Sequence, residues 1–166
     1  QSVTEVNAEI AAISERYITE FENNMRNQGY QDITIKHEVI STTDDYFTLK
    51  LMCYQAAGSG SEEDYYYTID LATGQRLALA DLFKDGADYV TPISKNIKKQ
   101  MRAQMKADEN VMYWIDDPEV AESNFDAIAA DQSFYLNDKG NIVICFNEGD
   151  VGPMSMGCPS FEIPHK

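Results

Sequence analysis

A chain of 166 residues, 43% apolar and 25% charged, is long enough to bury a core and has globular rather than disordered or fibrous composition. Its formal charge of −15 argues against nucleic acid, whose phosphates require a basic surface, and favours a basic partner through faster encounter. No apolar run approaches the ~18 residues that mark a membrane span, and no cationic-then-apolar leader precedes Gln1, which reads as the start of a processed or truncated chain.

The first predicted element is a helix. Ser2 and Glu5 have capping-box spacing, and Val6, Ile10, Ile13, Tyr17, Phe21 and Met25 recur every three or four residues as one apolar stripe, with Gly29 as a stop. Alternation follows. Ile33, Ile35, His37 and Val39 share one face of a first strand, and Phe47, Leu49, Leu51 and Cys53 one face of a second, with Asp44 and Asp45 in the turn between. Ala56–Asp64 is rich in Gly, Ser and acid and reads as a mobile loop. A third strand, Tyr65–Leu71, turns through Ala72, Thr73 and Gly74 into a short return, and Leu82 and Phe83 read as a buried turn.

A second long helix is predicted over residues 88–107, with Pro92 in its first turn and Tyr89, Ile93, Ile97, Met101 and Met105 along its buried side. Six cations between Lys84 and Lys106, against Asp85 and Asp88, make this stretch basic in an acidic chain. Residues 120–130 read as a third, short helix. Phe134–Leu136 and Ile142–Phe146 flank a turn at Asn137–Gly140, and the Asn147–Gly157 loop leads to a last strand near Ser160–Ile163. These elements predict an α+β fold: an antiparallel sheet with two long helices packed on one face. One domain is expected over residues 1–166, with the helix and strands of residues 1–70 leading it.

Little in the residues points to catalysis. His37 and His165 are the only imidazoles, and neither H-E-x-x-H nor paired C-x-x-C spacing occurs, so no metal site or cofactor is expected. His37 reads as a sheet residue. Cys53, Cys145 and Cys158 are too few for a disulfide framework, although the spacing leaves a Cys145–Cys158 bridge open. Among the carboxylate clusters, Asp44/Asp45, Glu62/Glu63/Asp64 and Asp116/Asp117 read as wet turns. Glu148/Asp150 is the pair best placed for acid–base work, beside an apolar strand. Tyr66, pointing outward by alternation beside acidic residues, reads first as a cross-strand surface pair and alternatively as a protein-binding anchor.

Two stretches carry a resemblance. YTIDLATGQRLALADLF, with its Asp-Leu-x-Thr-Gly turn from Asp70 and its Asp-Leu-Phe ending at Phe83, and the closing FYLNDKGNIVICFNEGDVGPMSMGCPSFEIP are similar to the outward-facing domain of RsiV-type anti-sigma factors. The signature region spans residues 66–165. The same domain also accompanies polysaccharide deacetylases. The resemblance implies an extracytoplasmic, non-catalytic binding or sensor domain of a Gram-positive cell-envelope protein, with its membrane anchor outside these residues. The implied partner is a basic protein such as lysozyme, as for some members; the alternative is an accessory module of a cell-wall enzyme that binds glycan. Partner contacts are then expected from Glu62, Glu63, Asp64 and Tyr66, and from Glu148, Asp150, Met154 and Met156. The chain departs from the family at Gly149 and Met154, where Tyr is usual, and in AAGSGSEED before the third strand.

Overall fold

In the computed structural model, which describes residues 1–28 and 32–164, the chain forms two compact units, Gln1–Leu77 and Ala78–Lys166. In the first unit α1 (Val3–Gln28) precedes a meander of β1 (Asp32–Thr42), β2 (Tyr46–Ala57), β3 (Ser59–Asp70) and β4 (Gln75–Arg76). The capping box forms as the sequence predicts. Ser2 N donates to Glu5 Oε2 at 2.6 Å and Glu5 N to Ser2 Oγ at 3.3 Å, satisfying two amides that no helical carbonyl can reach.

The helical stripe then meets the odd-numbered face of the sheet. Val6 and Tyr17 pack with Leu51, Cys53, Tyr67 and Ile69, and Ile10, Ile13, Ile35 and Phe47 close around them. The stripe ends early, since Met25 is 52% exposed. Gly29, expected to stop the helix, lies outside the described residues, as does His165.

The expected loop over Ala56–Asp64 is instead strand. Ala57 and Ser59 pair across Gly58, and the ladder runs on in register through Cys53–Glu63, Met52–Asp64 and Leu51–Tyr65 to Tyr46–Asp70. Polar composition alone suggested a loop; cross-strand and helix partners for each acid overrule it.

In the second unit, Leu79–Leu82 forms one 3-10 turn, α2 spans Val90–Ala107, and β5 (Phe134–Leu136), β6 (Ile142–Cys145) and β7 (Ser160–Ile163) make a three-stranded antiparallel sheet. α2 packs against β7 and buries Ile93, Ser94, Ile97 and Met101. Full burial of a side chain such as Ile97 contributes about 2 kcal/mol. An aromatic row fills the centre: Tyr113–Phe161, Phe161–Phe146 and Phe146–Phe125 have ring centroids 5.6, 5.9 and 5.6 Å apart.

The fold is therefore α+β with antiparallel strands. The single sheet bearing both helices is replaced by two sheets, each with one long helix in its own unit. The short helix expected over 120–130 is also corrected: only Pro118–Ser123 turns, as 3-10. Its amides find partners outside the segment instead, with Phe125 N donating to Trp114 O at 2.7 Å and Ile128 N to Ser94 Oγ at 3.0 Å. The three cysteines are free thiols, so the Cys145–Cys158 bridge is not formed. Among the described residues no helix is long and apolar enough to cross a membrane.

Candidate functional site

Alternation along β3 separates the acidic run between two faces. Glu63 shares the helix-facing side with Tyr65 and Tyr67, while Glu62, Asp64 and Tyr66 occupy the other. On the first side Glu63 is held by two phenols: Tyr17 donates to Oε2 at 2.6 Å and Tyr65 to Oε1 at 2.7 Å. Arg16 donates to the Tyr65 hydroxyl at 2.9 Å, closing a network between α1 and the sheet. Burial, and then the Glu63 carboxylate, pushes the Tyr17 phenol above its ordinary range. The same two causes raise the Cys53 thiol to about 11, which leaves it protonated and unsuited to nucleophilic chemistry at neutral pH.

On the other side Asp64 is 3% exposed, with Lys50 Nζ 3.3 Å from Oδ2. Burial, then a hydrogen bond shared with Glu62, pushes its carboxyl up to about 6; Lys50 opposes the shift. Lys50 also lies 5.9 Å from the Tyr66 ring centroid. Of the residues expected to meet a partner, Glu62 and Tyr66 are half-buried and Asp64 is buried, so this face offers a packed ion pair rather than a wet acidic loop.

The remaining four expected residues lie in the second unit, between β6 and β7. Asp150 Oδ2 accepts Asn147 N at 2.8 Å, with Gly149 between them at φ +79°, a conformation that would strain a residue with a side chain. Val151 O accepts Trp114 N at 2.8 Å, and Met112 N donates to Met156 Sδ at 3.5 Å, tying this loop to the segment after α2. Gly152 makes the approach possible: a Cβ there would fall 2.7 Å from Met112 O. The result is an exposed thioether surface, Met112 at 47% and Met154 at 54%, beside half-buried Glu148 and exposed Asp150. Met112 is absent from the sequence-derived site because its irregular segment has no periodicity to give it a face. Flexible, polarizable Met side chains adapt to varied partner surfaces.

Several other carboxylates serve turns and ion pairs. Asp70 Oδ1 accepts Ala72 N at 2.8 Å, Asp81 Oδ2 accepts Ala78 N at 2.7 Å, and Arg102 grips Asp116 Oδ2 through Nε and Nη2 at 3.0 and 2.8 Å. Asp70 and Asp81 of the Asp70–Phe83 stretch thus shape backbone.

The family described as "Protein of unknown function (DUF3298)" matches residues 80–166, more than half the chain. The chain belongs to the DUF3298 family. That match falls wholly within the second unit. Over 162 residues and 92% of its length, the chain is also 35% identical to the anti-sigma-V factor RsiV of Bacillus subtilis, which supports an RsiV-type domain. It spans 56% of that relative's length. The solved structure of a DUF3298 member from Bacteroides fragilis covers 99% of this chain and 67% of its own, at TM-score 0.60 and 20% identity. A second, from Pseudomonas aeruginosa, covers 87% and 64%, at TM-score 0.63 and 16% identity. At those identities the two structures speak for the fold alone.

Proposed function

We propose that this DUF3298 chain is the ligand-binding portion of an extracytoplasmic sensor in an anti-sigma system, that its ligand is a basic protein such as lysozyme, and that it binds without catalysing. The observation that carries this reading is the 35% identity to RsiV along 92% of the chain. The net charge of −15 suits a cationic partner, chiefly by steering its approach. The Met112–Met154 surface, with Glu148 and Asp150 beside it, supplies adaptable apolar area next to charge, the combination that a protein interface uses. The same reading places a membrane anchor outside these residues and the host among Gram-positive bacteria.

Isothermal titration calorimetry against hen and human lysozyme at two salt concentrations tests it. Binding at micromolar affinity or tighter that weakens with salt supports the reading. No heat at either salt removes lysozyme as the ligand and favours a glycan-binding module of a cell-wall polysaccharide enzyme.

A further inference from the structure

β1 is an outer strand. Its one paired neighbour among the described residues is β2, and its middle, Lys36, His37, Glu38 and Val39, is exposed on both faces. Val39 is 52% exposed. A bulge falls only after Val39, so Ile33–Val39 keeps regular register on a strand whose other side no described strand pairs with. Such an edge is a template for another strand unless its charges forbid it.

From this placement we infer that β1 is a self-association edge through which two copies of the chain pair antiparallel, joining their four-stranded sheets. The charges select the register. Two sheets that join with their helices on the same side must oppose residues of the same parity. Centring the pair on Lys36 or on Glu38 sets that charge against itself, and centring it on Ile35 sets Asp32 against Glu38. Centring it on His37 places Lys36 opposite Glu38 of the second copy, twice, and Ile35 opposite Val39, twice. This register covers the exposed Val39. It also extends a row in which Glu38 already faces Lys50, and Lys50 faces Tyr66. A foreign apolar strand would leave Lys36 and Glu38 without opposite charges, so the edge favours its own sequence. An overlap this short makes a small interface, of the weak and transient class.

The edge lies in the first unit, and its pairing does not rest on the proposed ligand. The test is sedimentation velocity at low salt over a concentration series, with Lys36→Glu and Glu38→Lys variants whose folding is checked by thermal unfolding. The parent chain is expected to dimerise as concentration rises. Each variant alone is expected to dimerise at least about tenfold more weakly, because two opposite-charge pairs become like-charge pairs. An equimolar mixture of the two variants restores both pairs and is expected to form a heterodimer. A parent chain that stays monomeric throughout overturns the proposal. So do variants that dimerise as the parent does, or a mixture that stays monomeric.

Discussion

Burial deprives a carboxylate of its hydration, and at Asp64 the nearby ammonium of Lys50 does not fully replace it. Asp64 is 3% exposed and its pKa in the fold, about 6, lies above the roughly 3.9 of an unfolded Asp. The protonated form is therefore the one the fold prefers. Its stabilising contribution is complete below about pH 4 and lost as pH rises through about 6. Asp64→Asn, which cannot ionise, is expected to gain stability relative to the parent between pH 4 and 7, by up to about 3 kcal/mol. Denaturant unfolding of both proteins at the two pH values measures this; parallel pH dependences would refute a buried, ionisable Asp64. A second residue has a steric role. Gly152→Ala would press a Cβ onto Met112 O at 2.7 Å, and is expected to cost about 1–3 kcal/mol in the same measurement, by displacing the Met-bearing loop. Neither role was legible in the sequence. Asp64 stands in a polar run that resembles a loop, and Gly152 in a real loop whose packing partner is distant in the chain.

At the scale of elements, the legible parts were those whose side chains declare a period. The stripes Val6–Tyr17 and Ile93–Met101 pack inward as expected, and Ile33 and Ile35 of β1 join the β2 alternation against α1, whereas His37 and Val39 are exposed. Ser59–Asp64 was illegible because a strand of Ser, Gly and acid has no apolar signal. It is strand because β2 pairs with it residue for residue, and because Tyr17 and Lys50 answer its charges. Residues 120–130 misled in the opposite sense: apolar residues recur there, but Phe125 N and Ile128 N donate to Trp114 O and Ser94 Oγ in an irregular path. The second unit's aromatic row suggests its most sensitive core position. Phe161 is 1% exposed and touches rings from two other segments, so Phe161→Ala is expected to cost about 3–5 kcal/mol in denaturant unfolding. A loss below about 1 kcal/mol would mean that the row does not hold β7 in place.

At the scale of the whole molecule, family membership was legible from the turn chemistry of Asp70–Phe83 and from the closing strands, because these residues shape backbone wherever they occur. The expected partner residues divide between the units: Glu62, Glu63, Asp64 and Tyr66 sit in β3, Glu148, Asp150, Met154 and Met156 in the β6–β7 loop, and Asp64 is buried. Charge remains the property that acts across the entire chain. A surface of formal charge −15 draws a cationic protein from a distance, and salt shortens that reach, since the Debye length falls from about 30 Å at 0.01 M to about 8 Å at 0.15 M. The rate at which lysozyme associates, followed by stopped-flow fluorescence across that salt range, is the most direct test of a sensor that recognises a basic protein. Association that slows by about tenfold or more as salt rises is expected; an absence of association at every salt concentration would contradict it.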